Sequence, residues 1–192
     1  MAFNVNQFLI AGMALDGARP NLFSIEFPDN IAGPNELFAM RAKATTLPGS
    51  SVGVAPAFYF GRQVKFAGNR VFDNWTVTIL TDENDFTGTG PRWFLEQWMA
   101  QLNTHVSNVR TGGWVAPAQY MRTGRINHYG KRGDIIASYV MEKAFPIDIS
   151  PVGLDWGNND TIEEFNVTFA FQYWINAPTL IVDGAATGTV SA

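Results

Sequence analysis

The chain has 192 residues and a net charge of −4, with 13 Lys and Arg against 17 Asp and Glu. This length is sufficient for one domain that buries about 70% of its unfolded surface. The absence of cysteine excludes a disulfide framework and a thiolate metal site. The longest basic run is Lys131-Arg132, so the charge pattern disfavours a protein that binds nucleic acid through many phosphates.

The predicted elements are mainly β-strands between a short arm and a tail. We expect residues 1–18 to form an N-terminal docking arm, because the apolar run at residues 8–15 is too short to span a bilayer. Residues 175–192 are expected to form a C-terminal extension, and residues 19–174 a single β domain. Gly and Pro clusters divide that domain into seven predicted strands, at residues 22–27, 37–45, 58–66, 72–81, 118–128, 134–145 and 163–174.

Two of these strands have the alternation of a sheet with one buried face. In the first, Trp75, Val77 and Ile79 are apolar and the residues between them are polar. The last strand alternates in the same way from Phe165 to Tyr173. A period of two indicates a half-buried strand.

One helix is predicted after Gly90, with Pro91 in its first turn. Its apolar residues recur at helical spacing and form a wide stripe that should lie against a sheet: Phe94, Leu95, Trp98, Met99 and Leu102. Seven strands and one flanking helix predict a β-barrel or β-sandwich.

The sequence contains two patterns that resemble enzyme motifs, but the residues and predicted elements around them do not match those motifs. Ser51 lies in a Gly-x-Ser-x-Gly match without the strand before it and helix after it that a nucleophile elbow needs. The Gly88-Thr89-Gly90 turn resembles a dinucleotide-binding loop, but Trp93 replaces its third glycine. We therefore predict no catalytic residue and no cofactor.

A metal site is also not predicted. The acidic residues from Asp82 to Asp85 resemble the start of a calcium loop, but Phe86 stands where a third oxygen ligand should be. The other acids, Asp155, Asp160, Glu163 and Glu164, are expected to be exposed residues beside a turn. The two histidines have neither cysteines nor short His-x-His spacing beside them.

Five spaced blocks give the chain a resemblance to a known family. They run in order as Ala18 to Phe23, Lys43 to Pro48, Val64 to Arg70, Phe72 to Thr78, and Leu154-Asp155-Trp156 leading into Thr161 to Trp174. With these blocks the chain resembles the tail tube proteins of contractile-tailed bacteriophages. The resemblance implies a structural virion protein and not an enzyme.

The resemblance also implies an assembly. Subunits of this family form hexameric rings whose inner strands join into a ring-wide barrel, and the rings stack into the hollow tube through which the genome is ejected. The implied partners are further copies of the chain, the tail sheath, baseplate and tail-terminator proteins, and first the tape-measure protein and then DNA in the lumen. Neither sequence-specific nucleic-acid binding nor membrane contact is implied. The implied location is the virion tail, assembled in the host cytoplasm.

Three groups of residues are assigned to this assembly as hypotheses. Polar residues on one strand face, or their counterparts on the last strand, should include lumen-facing side chains: Asn74, Thr76 and Thr78, or Asn166, Thr168 and Gln172. A glycine-rich loop should contact the next ring through Thr46, Leu47, Pro48, Gly49, Ser50, Ser51, Val52 and Gly53. Aromatic residues beside strands should pack in the core: Phe72, Trp75, Trp156 and Trp174.

Other classes remain open at this stage. Within the structural class, the inner tube of a type VI secretion system or of a phage-tail-like bacteriocin follows the same ring-stacking logic. A carbohydrate-binding β-sandwich would also be aromatic-rich and acidic, and would use exposed Trp or Tyr as sugar platforms. A hydrolase would need Ser51 or a carboxylate pair to lie in a pocket.

Overall fold

The structure is a computed structural model that describes residue 10 and residues 17–28, 35–110 and 113–176. Most of the predicted arm (1–18) and of the predicted extension (175–192) lies outside the described residues. The elements are β1 (Phe23–Glu26), α1 (Asn35–Arg41), β2 (Ala42–Thr45), β3 (Ser50–Tyr59), β4 (Arg62–Phe72), β5 (Trp75–Leu80), a 3₁₀ helix (Glu83–Thr87), α2 (Pro91–Leu102), α3 (Pro117–Tyr120), β6 (Arg122–Tyr129), β7 (Ile135–Ile149), β8 (Glu164–Ala170) and β9 (Tyr173–Asn176).

The long strand β7 joins two halves of one antiparallel sheet. Its first part pairs with β6 and β9, and residues 145–149 pair with β8. Between these parts the register shifts, and Lys143 has a φ of 58°. Such a bulge bends a strand. One half therefore has the order β1-β6-β7-β9, and the other has the order β7-β8-β5-β2.

The core lies between the two halves and is aromatic at its centre. Trp75 stacks beside Phe169, with ring centroids 5.1 Å apart, and Phe27 lies 5.9 Å from the Trp75 ring. Gly124 on β6 makes room for this group, because a Cβ atom there would lie 2.9 Å from the Trp75 ring. Buried residues from β1, β5, β6, β7 and β8 form a single cluster with these rings. The prediction of a β-rich barrel or sandwich is confirmed.

The helix α2 covers this core, as its predicted stripe requires. Leu95 and Trp98 are buried, and Leu102 packs at the edge of the cluster. Trp98 donates a hydrogen bond from Nε1 to the Tyr120 carbonyl at 3.0 Å, which satisfies its one polar group inside the protein. Trp93, on the same helix, is 36% exposed.

Four of the predicted strands have wrong boundaries. Residues 37–45 form the end of α1 and then β2, and a helix of seven residues is too short to show a repeated period. Residues 58–66 cross a hairpin turn, and residues 118–128 begin with the single turn α3. Residues 163–174 are divided between β8 and β9, because the chain passes to β7 where the Gln172 N–H donates to the Glu142 carbonyl.

Two tryptophans of this chain provide a matched test of the core. Trp75 is 1% exposed and Trp156 is fully exposed. Replacing Trp75 with Ala should lower the free energy of unfolding by about 3–5 kcal/mol, because it removes a large buried side chain. The same change at Trp156 should alter it by less than about 0.5 kcal/mol. Urea denaturation of the dilute subunit measures both, and similar values for the two variants would contradict this core.

Candidate assembly surfaces

The strands β3 and β4 form a hairpin that lies outside the core. They pair with each other from Ser50↔Phe72 to Tyr59↔Arg62, and they form a separate two-stranded sheet. Every residue of β3 is exposed, as is every residue of β4 except the half-buried Phe72. At about 3.3 Å per residue, a strand of this length extends about 33 Å.

This hairpin corrects the prediction of a loop. Thr46, Leu47, Pro48 and Gly49 lie outside strands, but Ser50, Ser51, Val52 and Gly53 belong to β3. The glycine that suggested a loop lies in a β-bulge, where the register shifts between Val52 and Val54. Gly68 lies opposite, where a Cβ atom would come within 3.0 Å of the Gly53 backbone.

The hairpin has an unusual amount of exposed apolar surface. A two-stranded hairpin alone is marginally stable in water, and a large exposed apolar patch indicates an interaction site. At its tip Phe58, Tyr59 and Phe60 are 77%, 69% and 89% exposed. The other exposed large apolar residues of the hairpin are Val52, Val54, Val64, Phe66 and Val71.

The hairpin is also cationic. It carries Arg62, Lys65 and Arg70, and no acidic residue occurs anywhere from residue 37 to residue 72. In a chain with a net charge of −4, this segment is a local positive region.

Two of the predicted core aromatics lie at the base of the hairpin. Phe72 is half-buried, with its ring 6.2 Å from Phe171 and 6.5 Å from Trp174. Trp174 packs at the edge of the core and donates a hydrogen bond from Nε1 to the Gly49 carbonyl at 3.2 Å. These contacts attach the hairpin to the end of β5 at which Trp75 lies.

The strands β5 and β8 have a polar face opposite the core. Their register places Thr76 opposite Thr168 and Thr78 opposite Asn166. The Thr78 hydroxyl donates to the Asn166 side chain at 2.7 Å, and the two threonine hydroxyls lie 3.4 Å apart. The structure thus brings four of the six predicted lumen residues together, while the other two are exposed beyond the strand ends: Asn74 and Gln172.

This polar face has little unpaired positive charge. Lys43 forms an ion pair with Glu164. Asp148 on β7 is exposed and lies opposite Thr168 in the sheet register. Residues that are direct partners in a sheet share a face, so Asp148 adds a negative charge beside the threonines.

The same half of the sheet has two free edges. Among the described residues, β2 pairs with β5 alone and residues 145–149 of β7 pair with β8 alone. The two edges are four and five residues long. Strand edges present unpaired N–H and C=O groups, which bind another strand unless they are covered.

An acidic groove lies at the other end of β5 and β8. It has a volume of about 580 Å³ and lies in the connection between β7 and β8. Its walls include the exposed apolar residues Leu154, Trp156 and Ile162 and the acids Asp155 and Glu163. Trp156 is 100% exposed, so its prediction as a core residue is wrong. It lies in an irregular connection and not in a strand, so the sheet does not bury it.

Several of the acids that suggested calcium binding or catalysis have partners within the subunit. Arg41 binds Asp82 at 2.9 Å and also pairs with the buried Asp85. The Asp155 carboxylate accepts a hydrogen bond from the Gly157 N–H at 2.9 Å. Within residues 17–28, 35–110 and 113–176, no group of three or more His, Asp or Glu residues is placed to hold a metal ion.

The two histidines and Ser51 do not form a catalytic arrangement in the described structure. The His128 ring lies 2.8 Å from the Arg19 carbonyl, and Ser51 is an exposed residue of β3. In the same described ranges, no helix has both the length and the apolar character that a membrane span requires.

Comparison with known proteins identifies the family. The sequence model for the family described as "Phage tail tube protein" matches residues 18–177. The chain is 33% identical over 160 residues to the tail tube protein gp19 of Enterobacteria phage T4, covering 83% of this chain and 91% of that protein. The corresponding protein of Enterobacteria phage T6 is 34% identical over the same number of residues.

The chain belongs to the phage tail tube protein family. Its role is therefore structural, and the predicted resemblance and the prediction that the chain is not an enzyme are both confirmed. Family membership also removes the carbohydrate-binding and hydrolase alternatives.

Solved structures of related assemblies share the fold of this tail tube protein. A chain from the sheath-tube complex of an extracellular contractile injection system, PVC, superposes with a TM-score of 0.60 over 92% of this chain and 99% of that one. A chain from the baseplate of the anti-feeding prophage gives a TM-score of 0.57 over 84% of this chain and 95% of that one. Their identities of 13% and 11% show similarity of fold alone.

Proposed function

We propose that six copies of this tail tube protein close into a ring and that the rings stack into the tube through which the phage genome is ejected. The observation that carries this proposal is the exposed, apolar β3–β4 hairpin. It needs a partner outside its own subunit, and further copies of the chain are the partner that a tube supplies.

Ring closure uses the free edges of the half-sheet β7-β8-β5-β2. Pairing β2 of one copy with residues 145–149 of β7 in the next copy would join the four strands of each subunit into one continuous barrel. A closed barrel removes the edges, and with them the risk of uncontrolled strand addition. This arrangement supports the hypothesis of a ring-wide inner barrel.

The polar face of β5 and β8 would then line the bore. Thr76, Thr78, Asn166 and Thr168 lie opposite the core face of the same strands. The hydroxyl and amide groups of this face can form hydrogen bonds with water. The carboxylate of Asp148 repels the phosphates of DNA. DNA would slide past such a wall, because fixed cations that bind phosphate would retain the polymer.

Ring stacking uses the hairpin together with residues 46–49 at its base. Each strand of the hairpin extends over about 33 Å, and this length is available for contact with a neighbouring copy. Apolar side chains along both strands provide the buried surface that a stable interface requires.

The further partners of the tube belong to the same proposal. Structures with the same fold come from a sheath-tube complex, a sheath and tube terminator, and a baseplate of contractile injection systems and of the anti-feeding prophage. We propose corresponding partners here, with the tape-measure protein and then DNA in the lumen. The protein would be assembled in the host cytoplasm and located in the virion tail. Residues 19–174 would form the ring-building domain, although β9 continues to Asn176.

Shortening the hairpin tests the stacking step. Deleting residues 54–67 and joining Gly53 to Gly68 through an Asn-Gly turn removes the aromatic tip but no core residue. The variant should remain folded and form rings, but electron microscopy should show no tubes. A control that replaces Gln63 and Asn69 with Ser keeps the hairpin and should still form tubes. Tubes of normal length from the shortened variant would contradict this role.

The absence of cysteine allows a clean test of the bore. A Thr76→Cys variant carries one thiol per subunit. In assembled tubes that thiol should react with a small maleimide but not with a maleimide on a carrier too large to enter the bore. In dissociated subunits it should react with both, which controls for the reactivity of the thiol. Reaction of tubes with the large reagent, followed by mass spectrometry, would place Thr76 on the outside.

A further inference from the structure

We infer that the acidic groove between β7 and β8 is the site that receives the cationic hairpin of a second copy, in the neighbouring ring. This inference rests on the proposed stacking function and adds its receiving surface. It concerns the groove lined by Leu154, Trp156, Ile162, Asp155 and Glu163.

The two surfaces lie at opposite ends of the same strands. In the β5–β8 ladder, Trp75 pairs with Phe169 at one end and Leu80 pairs with Glu164 at the other. The hairpin ends at Phe72, next to the Trp75 end. The connection that forms the groove leads into Glu164 at the opposite end, about 20 Å away along the six-residue strand.

Opposite positions favour a head-to-tail contact. When one surface of a subunit binds a different surface of the next, each addition leaves a new free end of each kind. Subunits joined by such a contact form a stack that can grow without limit, and not a closed pair. A tube that grows ring by ring requires this property.

The charges of the two surfaces are complementary. The hairpin carries Arg62, Lys65 and Arg70 and no acid, whereas residues 150–164 contain four acids and no cation. Of these acids, Glu164 pairs with Lys43 in its own subunit, Asp155 and Glu163 line the groove, and Asp160 is exposed in the same connection. Complementary charges of this kind set the orientation of an interface and speed its formation.

Apolar surface on each side provides the remaining match. Leu154, Trp156 and Ile162 are 87%, 100% and 67% exposed beside the groove. On the hairpin, Phe60 occupies the tip with a φ of 45°, where a two-residue turn favours Asn or Gly. The turn geometry alone does not favour an aromatic residue at this position, whereas contact with a partner molecule does. Aromatic anchors surrounded by charged residues are typical of protein interfaces.

A charge exchange between the hairpin and the groove tests this pairing. Arg62→Glu with Lys65→Glu should reduce the fraction of subunits in tubes by roughly tenfold, because attraction becomes repulsion at every subunit contact. Rings should remain. Adding Asp155→Lys and Glu163→Lys to the same chain should restore tubes, because these two acids line the groove and the charges are complementary again. Sedimentation and electron microscopy measure both states.

A control variant tests whether the effect depends on the position of the charge change. Arg132→Glu with Lys131→Glu makes the same charge change in the β6–β7 turn and should leave tube formation unchanged. Normal tubes from the hairpin variant would overturn the inference, as would loss of tubes that the groove changes do not restore. Failure of the unmodified protein to form any ring or tube would instead overturn the proposed function.

Discussion

The structure depends on one constraint: the β3–β4 hairpin exposes apolar surface that no other described residue of its subunit covers. The core buries Trp75, Phe169 and their neighbours almost completely. None of its buried residues comes from β3 or β4, so the hairpin does not contribute to the core. The tip aromatics Phe58, Tyr59 and Phe60 remain in water. A soluble chain retains such surface when another molecule covers it. For this tail tube protein, we propose that this molecule is a further copy of the same chain.

Different parts of the sheet have the different chemical properties that such an assembly would require. One face of β5 and β8 forms the core, and the other face is polar. Among the described residues, the edge strand β2 and residues 145–149 of β7 are short and have no second strand partner. The hairpin and the acidic groove lie at opposite ends of the same strands. In the proposed tube, ring closure, the bore and stacking would therefore use different surfaces of the subunit.

Sequence patterns predicted the elements that have a clear period. The alternation at Trp75, Val77 and Ile79 identified β5, and the apolar stripe with Pro91 at its start identified α2. The biological role was predicted from the family resemblance, because composition alone does not indicate it. The alternation of each strand also predicts a polar face that contains Thr76 or Thr168, and the sheet register makes these two residues direct partners.

Other features were missed for physical reasons. Gly53 and Pro56 indicated a loop, but they belong to a strand that is exposed on both sides and therefore shows no alternation. Trp156 was expected in the core because tryptophan is large and apolar, yet burial depends on neighbours that an irregular connection does not supply. The two-residue turn at Phe60-Gly61 lacks the usual Asn-Gly signal, so the sequence predicts one strand over residues 58–66, across the turn.

Hydrogen–deuterium exchange of the backbone, compared between dilute subunits and the concentrated assembly, tests the central claim most directly. The account predicts that the amides of residues 50–72 exchange rapidly in the dilute subunit and become strongly protected in the assembly, while the amides of β5 and β8 stay protected in both. Equal and rapid exchange of residues 50–72 in both states would contradict it, because the hairpin would then have no partner.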